Sequence, residues 1–253
     1  MKISALIISV LLLNSAILWC QNSIAIKLGS TIVNFEHVGS KQDTLVFLNL
    51  HENEQTSISA IKQVLAKFYG QYFGIKSGKL RELKVLTNTQ TITVDPNRIF
   101  TKKGLEKTLK NYKCYSVSNL KLMNEFADQL LKELSPAKLL VAVHNSTDGG
   151  FSIKSFAKTN AENQDTKEIY INPKHDEDDF YLVTKKTKFD YFKSKGYNVI
   201  LQDNLNVEDD GSLSVYCGKN NIDYINIECQ TGHLKEQIQM IEEVYKGFMN
   251  QTK

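Results

Sequence analysis

Apolar and polar residues alternate along this chain with two different periods. Ser23-Ile-Ala-Ile-Lys27 and Thr31-Ile-Val-Asn-Phe35 alternate about Leu28-Gly-Ser30, which predicts an opening β-hairpin. Leu45-Val-Phe-Leu-Asn-Leu50 is a β-rich run that stops at His51. Beyond Glu54 the pattern becomes helical, with Ile58, Ile61, Val64, Leu65, Phe68 and Tyr72 on one face and Thr56 or Ser57 as N-cap. Residues 78–93 read as a strand pair turning at Thr87-Asn-Thr89, followed by a tight Asp95-Pro-Asn-Arg98 loop. A second helix is predicted over residues 118–134, with Leu120, Met123, Ala127, Leu130, Leu131 and Leu134 aligned and Ser135-Pro136 as its stop.

The second half repeats the alternation. Leu139-Leu-Val-Ala-Val143 is apolar throughout, as in a fully buried central strand, and ends at His144 before the loop Asn145-Ser-Thr-Asp-Gly-Gly150. A strand is expected over residues 168–172. The acidic run His175-Asp-Glu-Asp-Asp179 reads as a solvated loop and helix start rather than a metal site, because consecutive carboxylates point in different directions. A helix over residues 180–195 ending at Gly196, a strand over 197–201 and a turn at Asp209-Asp-Gly-Ser212 follow. Tyr224-Ile-Asn-Ile227 is a strand ending at Glu228, and the last helix aligns Leu234, Ile238, Ile241, Val244 and Phe248. No internal repeat or linker interrupts the order. The alternation predicts a single three-layer α/β/α domain around a mixed, largely parallel central sheet.

Composition narrows the classes of function. With 42% hydrophobic and 23% charged residues, the 253-residue chain can bury one sizeable core. Its 31 basic and 28 acidic residues are interspersed and leave a net charge of +3, so no strong field points to nucleic acid or anionic lipid. Arg81 and Arg98 are the only arginines, which makes each a candidate anchor for a carboxylate. Lys2 followed by uncharged residues 3–19 reads as an export signal over residues 1–21, implying a secreted or periplasmic protein. Stable membrane association is not expected unless that signal stays uncleaved or Cys20 is lipidated. The remaining Cys114, Cys217 and Cys229 permit at most one internal disulfide and match no zinc-ribbon spacing.

Three expected strands end in residues that carry chemistry: His51 with Glu54 after it, His144, and Glu228. Two imidazoles and one carboxylate can hold a zinc ion while leaving a fourth position for water. A further carboxylate beside that water can accept its proton and return it to a leaving amine. Glu52, beside His51, has no assigned role.

His51-x-x-Glu54, Asn97-Arg98, His144 and the late strand-end Glu228 together resemble the zinc carboxypeptidase family over residues 44–233. The 89 residues between Glu54 and His144 resemble its compact members, of the aspartoacylase and succinylglutamate desuccinylase type. The resemblance implies one Zn²⁺ held by His51, Glu54 and His144, with Glu228 as general base and acid. It implies that Asn97 and Arg98 hold a substrate carboxylate, and it puts Arg81 in the region of an arginine that stabilises the oxyanion. Tyr216 and Tyr224 are the nearest candidates for a tyrosine that lines some members' sites. Residues 22–253 would then be a catalytic domain. Its substrate would be a peptide or acyl-amino acid with a free carboxylate, cleaved at the adjacent amide. Export favours a metallocarboxypeptidase acting on peptides or cell-wall peptides. The alternatives are an N-acyl amino acid deacylase and a non-catalytic zinc- or peptide-binding protein on the same fold.

Overall fold

The computed structural model describes residues 22–87, 90–135, 137–157 and 165–248. The expected export signal, Cys20, the Asn88-Thr89 turn and Pro136 lie outside the described residues. The opening hairpin forms as β1 (Asn22–Leu28) and β2 (Thr31–Val38), turning through Gly29. Next come β3 (Leu45–Asn49), α1 (Gln55–Leu65), β4 (Gln71–Lys76) and a small separate hairpin, β5 (Leu83–Leu86) with β6 (Thr91–Val94). A 3-10 turn at Pro96–Arg98 leads to α2 (Lys102–Asn111), α3 (Val117–Leu134) and β7 (Leu139–Ser146). The remainder runs β8 (Thr166–Tyr170), β9 (Phe180–Val183), α4 (Lys186–Ser194), β10 (Val199–Gln202), α5 (Leu213–Lys219), β11 (Tyr224–Gln230) and α6 (Leu234–Phe248).

Nine strands form one sheet in the order β1-β2-β4-β3-β7-β11-β9-β10-β8. Its centre is parallel: β4, β3, β7 and β11 run together, and their apolar runs are covered on both faces. Antiparallel pairs flank this centre, at β1/β2, β2/β4, β11/β9 and β10/β8. Alternation splits each central strand between two cores. Val46, Leu48, Leu140, Ala142 and Tyr224 join the core under α2, α3, α5 and the small hairpin. Leu45, Phe47, Val141, Val143, Ile225 and Ile227 join the core under α1, α4 and α6. This is the expected layered α/β domain.

Several local expectations give way. Helix α1 stops at Leu65, leaving Phe68 exposed and Tyr72 buried in β4. Its N-cap is Glu54. Thr56 Oγ1 instead accepts from the Gly232 N–H (3.0 Å), and the Ser57 hydroxyl donates to the Glu54 carbonyl (2.8 Å). The expected helix at 180–195 divides into buried strand β9 and the shorter α4, since a four-residue apolar run has no readable period. Helices α2 and α5 were not foreseen. In α2 only Leu105 and Leu109 mark the buried face at helical spacing, with Thr101 as cap. Strands β7 and β11 continue past His144 and Glu228 rather than ending there.

Candidate metal centre

The parallel strands β3, β7 and β11 bring their carboxyl ends to one edge of the sheet, where open α/β sheets place their sites. Beyond β3 the chain turns tightly, with the Glu54 N–H donating to the His51 carbonyl (3.0 Å). Side-chain amides brace this turn. Asn49 Nδ2 donates to Ser57 Oγ (2.9 Å) and to the Val143 carbonyl (3.0 Å), while Asn145 Oδ1 accepts from the Ser57 N–H (2.7 Å). The two residues flanking His144 on β7 therefore set the position of the His51–Glu54 turn. Gln237 of α6 donates to the His144 carbonyl (2.9 Å).

Three donors converge as a result. Glu54 Oε1 lies 2.8 Å from His51 Nδ1, Glu54 Oε2 lies 2.9 Å from His144 Nδ1, and the two Nδ1 atoms are 3.2 Å apart. All three side chains are buried. Two ligands held about 2.0–2.1 Å from a tetrahedral zinc stand about 3.3 Å from each other. A small outward movement would therefore seat an ion, and the donor set fits a metal. On its far side His51 Nε2 meets Asp95 Oδ1 (2.9 Å), the carboxylate–imidazole relay that orients a ligating histidine. Arg81 reaches both acids, Nη1 to Glu54 Oε1 (3.2 Å) and Nη2 to Asp95 Oδ2 (3.3 Å).

The electrostatics suit a cation. Burial opposes a charge on His51, but its hydrogen bonds to Asp95 and Glu54 outweigh burial and raise its pKa to about 9. Burial likewise raises Glu54, yet the charge of His144 and hydrogen bonds to both histidines pull it down to about 2. Asp95 is held below the usual range by His51, Arg81 and the Asn97 N–H, against burial. Glu228 moves the other way: burial pushes it up, with only partial compensation from His144. A carboxylate with a raised pKa is better matched to proton transfer near neutrality.

A cleft of about 830 Å³ opens over these groups and is also lined by Arg81, Asn97, Arg98 and Glu228. Glu228 sits opposite His144 in the β7/β11 register, and Asn226 Nδ2 donates to its Oε1 (2.9 Å). Asn97 is tied to the opposite wall, its Oδ1 accepting from the Leu213 N–H (3.1 Å). Arg98 Nη1 donates to the Asn97 carbonyl (2.9 Å), and Nε lies 3.5 Å from Asp210 Oδ2. That wall depends on a close backbone crossing: a Cβ on Gly104 would lie 2.0 Å from the Gly211 nitrogen, and Gly211 itself has φ 83. Tyr224 borders the cleft from within the core, whereas Tyr216 packs half-buried on α5.

The structure thus brings together His51, Glu54, His144, Arg81, Asn97, Arg98 and Glu228, from segments up to 177 positions apart. Sequence reasoning passed over Asp95, Asn226 and Gln237. Asp95 was legible as the first residue of the Asp95-Pro-Asn-Arg98 turn, whose cap it forms by accepting from the Asn97 N–H (2.8 Å). Gln237, inside a helix, carried no sequence signal.

No protein-family model matches the chain, and no curated protein matches it. Solved structures similar to it include a candidate metallopeptidase from Shewanella denitrificans, at 14% identity and TM-score 0.43, covering 90% of this chain and 84% of the other. An aspartoacylase family protein from Mesorhizobium loti shares 8% identity, with TM-score 0.46 and coverage of 91% and 67%. Thrombin activatable fibrinolysis inhibitor shares 11% identity, with TM-score 0.47 and coverage of 88% and 70%.

Proposed function

We propose that this protein is a zinc-dependent hydrolase that cleaves an amide bond next to a free carboxylate. The observation that carries this reading is the convergence of His51 Nδ1, Glu54 and His144 Nδ1 beside Glu228, in a cleft that also presents Arg98. His51, Glu54 and His144 would hold the ion, a set of two imidazoles and one carboxylate that leaves a position open. Zinc bound there supplies Lewis acidity, polarising the scissile carbonyl and acidifying water. Glu228 accepts the proton of the attacking water and delivers it to the departing amine, a task its raised pKa suits. Arg98, with Asn97 bracing its turn, binds the substrate carboxylate; Arg81, half-exposed at the edge of the metal site, stabilises charge on the carbonyl oxygen. The presence of a buried base beside the metal site favours an enzyme over a pure binding protein.

Peptides or cell-wall peptides are the proposed substrates, and the compartment is secreted or periplasmic; both rest on the apolar N-terminal segment. No helix among the described residues is long and apolar enough to cross a membrane. The test is zinc quantification combined with a screen of peptides, muropeptides and N-acyl amino acids. Glu228→Gln should keep stoichiometric zinc and lose turnover by about 10³-fold or more, on the scale of a general base. Unchanged turnover would remove Glu228 from the mechanism. Release from N-acyl amino acids alone would move the substrate to the deacylase class.

A further inference from the structure

A second group of metal-binding side chains lies behind the first. Alternation along β11 directs Glu228 toward the cleft and its neighbour Cys229 into the core under α1, α4 and α6. Four residues on, His233 opens the turn into α6, with its N–H donating to the Gln230 carbonyl (3.0 Å). Asp179, immediately before β9, reaches the same point from the neighbouring strand. Its oxygens lie 3.1 and 3.3 Å from His233 Nδ1, and Oδ1 accepts from the Gln230 N–H (2.9 Å). Cys229 Sγ is 3.5 Å from the His233 carbonyl oxygen. One ligand atom from each of Asp179, Cys229 and His233 lies within 4.8 Å of the other two.

We propose that Asp179, Cys229 and His233 form a second, structural site for a zinc-type transition metal. Thiolate, imidazole and carboxylate are the ligand types zinc selects, and three protein ligands leave room for water on the partly exposed His233 side. An aspartate–histidine ion pair alone would not require a buried thiol at the same point. The surroundings are also short of positive charge. Asp176 and Glu236 act on both Cys229 and His233, yet among the described residues none of Asp176, Asp179 and Glu236 pairs with a lysine or arginine. Burial and then Asp179 keep the thiol protonated in the metal-free protein, whereas a divalent cation reverses that preference. On binding, the metal–sulfur bond replaces S–H, whose proton goes to solvent, and the metal–nitrogen bond forms at the lone pair of the neutral His233 ring. The metal then joins the start of β9, the end of β11 and the start of α6, directly behind the residue that faces the cleft.

Cobalt(II) distinguishes the two sites in the full chain, because only this one contains sulfur. Wild type should take up two equivalents, one of which gives a near-ultraviolet thiolate-to-cobalt band. His51→Ala/His144→Ala should keep that band, take up one equivalent and melt at higher temperature with cobalt than without. Adding Cys229→Ser or His233→Ala should remove the band, the equivalent and the thermal shift. His233 is partly exposed, so its variant decides the matter should Cys229→Ser fail to fold. Absence of the band in wild type at saturating cobalt, or its persistence in Cys229→Ser, overturns the proposal.

Discussion

Arg98 is one of only two guanidinium groups in the chain, and its neighbours determine what it can recognise. Its contact with Asp210 is long, 3.5 Å, and about a third of its side chain is exposed. A substrate carboxylate offers shorter, charge-assisted bonds than that pair does. Arg98→Ala should lower kcat/KM for substrates with a free carboxylate by about 10- to 100-fold, corresponding to about 1.5–3 kcal/mol for a hydrogen bond to a charged group. The matching amides should lose little. Comparison of paired acid and amide substrates checks this; an equal loss in both would end the anchoring role. Arg98 stood out in the sequence by scarcity and by its turn. Arg81 shared the scarcity but sits in no such turn, and only the fold shows it reaching Glu54 and Asp95.

Among the elements, the connection from β4 to β5 matters most because it carries Arg81. Glu52, next to His51, holds it: its Oε2 accepts from the Ser77 N–H (2.6 Å) and the Lys79 N–H (3.0 Å), and its Oε1 lies 3.5 Å from Lys76 Nζ. Lys79 has φ 63, a left-handed conformation a lysine rarely adopts without such a restraint. Glu52 is therefore a positioning residue for Arg81. Glu52→Gln would remove the charge that strengthens the bonds from those N–H groups and the attraction to Lys76, and kcat should fall about tenfold, or about 1.4 kcal/mol, with metal content unchanged. A double-mutant cycle distinguishes positioning from general damage: Glu52→Gln should cost almost nothing once Arg81 is alanine. Full additivity would refute it. This link joins a residue after β3 to a loop after β4, and those strands are adjacent only because β4 pairs with β3 in parallel. The sequence hid it by running the helical pattern through Tyr72 into β4.

At the level of the whole molecule, the His51–Glu54–His144 cluster ties stability to pH. His51 binds its proton more tightly in the folded metal-free protein, at about 9 against 6.5 when unperturbed. Its stabilising contribution is complete below about pH 6.5 and is lost as pH rises through 9. Chelated protein should therefore melt at progressively lower temperature across that window, and His51→Asn should flatten the slope. Zinc affinity should rise over the same window, because the ion displaces the proton. Melting curves with chelator and competition titrations with zinc read the two effects. A melting temperature that is flat or rising with pH would contradict the proton placement on His51.

The sequence by itself determined the α/β class, the opening hairpin, α3 and the central strands, and it singled out His51, Glu54, Asn97, Arg98, His144 and Glu228 as candidates for chemistry. Those features are local: a period of two or 3.6, or a polar residue closing an apolar run, is legible without knowing what lies opposite. Tertiary structure alone decided the rest. It made 180–183 a strand by covering it on both faces, and it ended α1 at Leu65 so that Tyr72 could enter the sheet. It also set Glu228 across from His144 and brought Asp95, Arg81 and Glu52 around one turn. Such contacts depend on strand order and register, which join residues far apart in the chain and leave no periodic trace within it.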